Sequence, residues 1–504
     1  MSAKATTPNL TSGRLLARNT VWNLLGTTVP TAAALLCIPP LTRALGSSRF
    51  GLLALAWALV GYASLFDLGL GRALTQLVAR RLGTDGEKNV CALVWTCLLL
   101  MSLLGTIGAF VTWFASSWLI ERALNIPVIL QPEALSAFHL LGLSIPFVIT
   151  TAGLRGVLEA NQRFPLINAL RVPMGLLMFL APLAVLPFSH SAVAVVGALV
   201  LSRCIGWLAH LIACLSVLPN LRQGLIWSET EVVPLLRFGS WMTVTNIVGP
   251  LMVTLDRFVI GGLVTIAAVA YYATPFEVVT KLWLIPAALT SVVFPAFSTD
   301  IDRNRNRTSL LFDRSVKVLL LTLLPVILLM MAFSHDALRL WLGNEFANNS
   351  YRVMQWLCVG VFLNSLAQVP FILIQGAGLP NKTAKLHLLE LPLYLGALWL
   401  LVKTHGIEGA AIAWTARCAF DALAMFLLAK PLLADSDLMK RRQIWIVAAV
   451  LFAFVCALLP ASLILKTALS LGTIAGFLCL SWIILLTPRD RLIVQRRLAV
   501  NNGD

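Results

Sequence analysis

The chain has 504 residues, of which 59% are hydrophobic and 12% charged, and its mean hydropathy is +0.87. A soluble domain carries about 25% charged residues, so this composition excludes a large soluble globule and requires side chains that face lipid. The net charge of +16 would suit a nucleic-acid partner if the basic residues formed one patch, but they are spread along the whole chain.

In chain order, the N-terminus stays polar to Ser12. The first apolar segment, 19–42, is longer than a signal-peptide core and is read as a retained helix. Further apolar segments follow at 50–71, 89–115, 134–154, 165–187, 191–217, 238–259 and 264–294. The series continues at 316–334, 353–375, 386–403, 407–429, 443–464 and 467–487. At about 20 residues per span, the pattern predicts an all-α integral membrane protein of about fourteen transmembrane helices. Prolines such as Pro30, Pro146, Pro173, Pro275, Pro325 and Pro392 fall inside these segments, where lipid-embedded helices tolerate them as bends.

The basic residues test the map. Of the 38 Lys and Arg, 27 fall in the alternate connections assigned to the cytoplasm, 8 on the other side and 3 within spans. This is the asymmetry expected of short cytoplasmic loops. It implies an even number of spans with both termini inside, and it accounts for the charge without nucleic acid. The nine cysteines all lie in apolar segments with no CxxC pair, so neither a metal nor a disulfide is expected. There is no GxxxxGK[ST] loop for a nucleotide, and no long extramembrane loop for a sugar donor. The chain is read as a non-enzyme without a cofactor.

The sequence also repeats itself. Arg18-Asn19-Thr20-Val21-Trp22 opens the first span and Arg237-Phe238-Gly239-Ser240-Trp241 the seventh. Arg155-Gly156 with Asn161 matches Gln375-Gly376 with Asn381, Pro173 matches Pro392, and Arg203-Cys204 matches Arg417-Cys418. An offset of six spans preserves orientation, which implies two parallel-repeat six-helix lobes, 1–220 and 221–435, plus two extra helices and a cytoplasmic tail at 436–504.

Particular residues sharpen the picture. The first two spans carry Asn23, Pro40-Leu41-Thr42-Arg43-Ala44-Leu45-Gly46, Phe50-Gly51 and Asp67-Leu68-Gly69-Leu70-Gly71. The seventh and eighth carry Asp256-Arg257-Phe258-Val259-Ile260-Gly261, Ala270-Tyr271-Tyr272 and Phe294-Pro295-Ala296-Phe297-Ser298. With this hydropathy the chain resembles the polysaccharide-transport branch of the multidrug/oligosaccharidyl-lipid/polysaccharide exporter superfamily. The resemblance implies an alternating-access transporter in the bacterial inner membrane. Its substrate would be an undecaprenyl-diphosphate-linked oligosaccharide, moved to the outer leaflet for exopolysaccharide, O-antigen or lipopolysaccharide synthesis. It also implies contact with membrane lipids, a proton or sodium ion as coupling partner, and a polysaccharide polymerase as protein partner. Two relatives of the same fold are the alternatives. A drug exporter commonly has a carboxylate in the first span, which Asn19 to Arg43 lacks, and a lipid II flippase often has an arginine within it, whereas Arg18 and Arg43 lie at its ends.

An ionisable group at mid-membrane costs about 2.5 kcal/mol or more, so each needs a reason. Arg203, Glu277, Lys281, Arg417 and Asp421 are the deepest. Glu277–Lys281 and Arg417–Asp421 are four residues apart and can pair along one helix face. Arg203 has no acid at that spacing. Arg203 and Lys281 are therefore the leading candidates for binding the diphosphate, with Arg417 assisting. Glu277, Asp421, Asp256, Arg257 and Asp67 are the candidates for coupling or gating. Glu159, Arg171 and Glu390 are read as rim charges near inner helix ends, and His210 as a core histidine.

Overall fold

The computed structural model describes residues 13–63, 67–81, 87–300, 305–434, 449–458 and 462–482. Every regular element among them is helical. Among the described residues, ten helices are long and apolar enough to cross a membrane. The basic stretches 435–448 and 483–504, which contain the expected tail, lie outside the described residues.

By its contacts the chain divides into two compact units, Met1–Ala270 and Tyr271–Asp504. The first unit contains α1 (Gly13–Ala63), α2 (Leu70–Arg81), α3 (Glu87–Trp118), α4 (Gln131–Ala160), α5 (Phe164–Val185), α6 (Ala192–Val217) and α7 (Glu229–Leu263). The second begins within α8 (Ile266–Val279) and holds α9 (Leu284–Asp300), α10 (Arg305–Ala332), α11 (Ser334–Leu342), α12 (Asn344–Gly376) and α13 (Pro380–Ala429). Two apolar helices follow, α14 (Ala449–Leu458) and α15 (Leu463–Leu480).

Two of the long helices each carry two of the apolar segments read from the sequence. In α1 the break is Gly46, with φ 69° and ψ 169°; in α13 it is Gly406, with φ 60° and ψ −138°. Both lie in a left-handed region that glycine enters without a Cβ penalty, so the chain turns there with almost no loop. The short amphipathic α2 is preceded by Asp67, whose Oδ1 accepts from Gly69 N at 2.8 Å and Oδ2 from Gly71 N at 3.1 Å. That carboxylate caps the orphan amides of the helix start.

The long spanning helices are apolar over most of their surface, so packing rather than polarity separates their faces. On α3, Leu93, Val94, Cys97 and Met101 are fully buried, while Leu103, Ile107, Phe110, Val111 and Phe114 are each more than half exposed. The exposed set recurs at helical spacing, as a lipid-facing stripe does.

The division by contacts falls between Ala270 and Tyr271. α7 is held in the first unit at both ends, which carries the division past it. At its start Arg81 makes a bidentate pair with Glu231 at 2.9 and 2.8 Å, and Ser228 N donates to Thr96 Oγ1 at 3.0 Å. At its far end Asn125 Nδ2 donates to Gly262 O at 2.8 Å and Val264 O at 3.2 Å. A Cβ on Gly262 would lie 2.6 Å from Ala123 O, and one on Gly51 would lie 2.0 Å from Ile266 O.

Candidate functional site

Each unit contains a polar cluster among its described residues. In the first, a cavity of about 350 Å³ opens among α1, α4, α5 and α6. Its wall is largely apolar, with Val60, Val148, Ile167, Met174 and Met178, but it also presents Arg155, Arg171 and Arg203 together with His210. None of the lining residues is a carboxylate. Arg203 Nε is buried and has no hydrogen-bond partner. Arg155 pairs with Glu159 at 3.4 Å, both partly exposed. His210 Nδ1 lies 2.7 Å from Gly206 O, the carbonyl one turn back on its own helix.

These residues converge because Arg203, Gly206, Trp207 and His210 fall on one face of α6 at three- and four-residue spacing. Prolines in the neighbouring spans, Pro146 in α4 and Pro173 in α5, stand on segments that line the cavity. Guanidinium is always charged and offers a planar fork of donors. Three of them line one apolar cavity, one with an unused Nε, and the cavity has the size and mostly apolar lining of a small-ligand pocket.

The second cluster joins the two halves of α13. Arg417 is 9% exposed and its Nη1 lies 3.8 Å from Glu390 Oε2. Its guanidinium stands over the Tyr394 and Trp414 rings at 5.7 and 5.8 Å, within cation–π range. Asp421 faces His387 instead, with Oδ1 3.6 Å from Nε2. Arg417 and Asp421 thus stand in one electrostatic cluster, each also paired with a residue from the preceding half of the helix.

The other candidates are placed as follows. Lys281 and Glu277 do pair, at 3.3 Å, with side chains 40% and 28% exposed. Asp256 and Arg257 are buried in α7, and Asp256 Oδ1 accepts from Arg257 N at 2.8 Å. Asp67 is the cap of α2. Arg203, Asp67, Asp256 and Arg257 belong to the first unit, and Glu277, Lys281, Arg417 and Asp421 to the second. Sequence reasoning undervalued Arg155, Arg171, Glu390 and His387. Three of these sit near helix ends, where hydropathy cannot tell a cavity wall from a solvated rim. The fourth carried one available signal, the three-residue spacing between His387 and Glu390.

Comparison with known proteins decides the family. A model of the polysaccharide biosynthesis protein family matches residues 41–351. The chain belongs to this family. Among its relatives, a putative O-antigen transporter of Shigella flexneri is 32% identical over 409 residues, covering 81% of this chain and 96% of that one. The lipopolysaccharide biosynthesis protein WzxC of Escherichia coli K12 is 24% identical, over 84% and 83% of the two chains. Among solved structures, the lipid II flippase MurJ in an inward closed conformation superposes with a TM-score of 0.68 over 92% of this chain and 98% of that one. Identity there is 11%, so the likeness is one of fold. It gives this member of the polysaccharide biosynthesis family an all-helical, multi-pass membrane fold.

Proposed function

We propose that the protein flips an undecaprenyl-diphosphate-linked oligosaccharide from the cytoplasmic to the outer leaflet of a bacterial inner membrane by alternating access. The full layout would be about fourteen spans, in lobes 1–220 and 221–435 with two further helices, and both termini in the cytoplasm. The observation that carries the reading is the arginine-lined cavity of the first unit, in a chain whose relative is named an O-antigen transporter. A diphosphate is common to lipid-linked sugars, and its charge must be compensated in the membrane. Arginine holds phosphate oxygens bidentately and at any pH. Arg203 leads, because its Nε is unused and buried, with Arg155 and Arg171 on the same wall. Lys281 and Arg417 are the candidates in the second unit. Glu277, Asp421, Asp256, Arg257 and Asp67 are candidates for coupling or gating. A polysaccharide polymerase is the protein partner that would consume the product.

Flipping by purified protein in vesicles tests this reading. Undecaprenyl-diphosphate oligosaccharide should be moved in preference to lipid II and to organic cations. Preferential movement of lipid II, or of cationic drugs, would replace the reading by the corresponding alternative of the same fold.

A further inference from the structure

The cluster around Glu390 holds a charge imbalance of its own. Glu390 is 1% exposed, and neither of its carboxylate oxygens has a hydrogen-bond partner. Asp421 is 5% exposed, and its Oδ1 likewise has none. Ligand atoms of His387, Glu390 and Asp421 all lie within 4.8 Å of one another. The groups facing them have few charges to offer. Arg417 contributes one fixed positive charge, and Tyr394 and the Cys418 thiol, 3.4 Å from Arg417 Nη2, are neutral. From α12 the neighbour is Phe371, stacked on His387 with centroids 6.1 Å apart. Behind Arg417, Trp414 packs on Phe276 and Trp283.

With His387 neutral, two carboxylates and one guanidinium leave a net charge of minus one inside a span. An uncompensated charge there is costly, and one added positive charge cancels it. A divalent ion would overshoot by one charge and would lie beside Arg417. An alkali ion takes oxygen ligands, and imidazole nitrogen is not one of them. A proton fits all three groups, and two carboxylates this close share one readily.

We propose that His387, Glu390 and Asp421 share one exchangeable proton, with half-buried His387 as its point of entry. Loading the proton makes the cluster neutral and weakens the hold of Glu390 on Arg417. Releasing it restores the ion pair. The second unit thus has two electrostatic states, set by one proton, whatever lipid is carried.

Infrared difference spectroscopy of the purified full-length protein in lipid, titrated in pH, reads this directly. The wild type should show a protonated carboxyl C=O band that shifts in D₂O and vanishes as pH rises. Both Glu390→Gln and Asp421→Asn should lose that band. His387→Ala should keep it while slowing deuterium exchange several-fold. Sodium or zinc chloride at fixed pH should leave it unchanged. A wild type without the band across the titration overturns the proposal, even if a variant fails to insert. So does a band that persists in both carboxylate variants, or one that sodium or zinc removes. Unchanged exchange in His387→Ala overturns the entry role. No transport substrate is present, so a failed flipping assay leaves this result standing.

Discussion

A close backbone approach in the first unit yields a sharp prediction for Gly51. Its ideal Cβ position lies 2.0 Å from Ile266 O and 2.9 Å from Ile266 C. Optimal nonbonded separations are about 3.5 Å, so a methyl group would overlap the carbonyl by about 1.5 Å. The obstacle is backbone at the start of α8, in a turn also held by Ile266 N donating to Asn125 O at 3.4 Å. It cannot rotate away as a side chain would. Gly51→Ala should therefore cost about 3 kcal/mol, the upper end of ordinary overpacking. That corresponds to roughly 6 °C of melting temperature in a domain of this size. Intrinsic fluorescence during thermal unfolding of the detergent-purified protein measures it. Gly396→Ala is the control, because nothing lies within 4 Å of its Cβ position; it should match the wild type or gain up to about 1 kcal/mol. Equal melting of Gly51→Ala and wild type would show that α1 and the α7–α8 turn do not pack this way.

Two further predictions follow from the same contacts and from the charge map. Arg81 and Glu231 are 27% and 11% exposed at the side chain, between a surface pair and a buried one, so a double-mutant cycle to Ala should give a coupling energy of about 1–2 kcal/mol in detergent unfolding. A coupling indistinguishable from zero would mean that α7 is not fastened to α2. Single cysteines placed near Asp85, Arg305 and Asp437 should react only with cytoplasmic reagent, and those near Glu121, Glu345 and His405 only with external reagent; labelling at Arg305 from outside would invert the topology.

Much of this architecture is legible in the sequence, for physical reasons. Bilayer thickness fixes span length, so α5 and α6 stand within two residues of the apolar segments 165–187 and 191–217. The Phe50-Gly51 motif acquires a cause, the close approach of Ile266. Helix merging at Gly46 and Gly406 was not legible, because a polar break in hydropathy does not say whether the chain loops or merely kinks. Charged partners were harder still. Arg417 and Asp421 share a helix face, but four-residue spacing only makes a pair possible. Glu390 and His387, on the preceding half of α13, join them in one cluster. Arg155 and Arg171 belong to the cavity of Arg203, a fact that depends on how α4, α5 and α6 pack and not on any local pattern.

The central claim is that Arg203 holds the diphosphate, and vesicle flipping by Arg203 variants tests it most directly. Arg203→Ala should insert and melt like the wild type, yet lose flipping of undecaprenyl-diphosphate carriers whatever sugar they bear. Arg203→Lys, which keeps the charge but not the fork, should recover only part of the rate. Wild-type flipping by Arg203→Ala, or a loss confined to one sugar, would contradict the account.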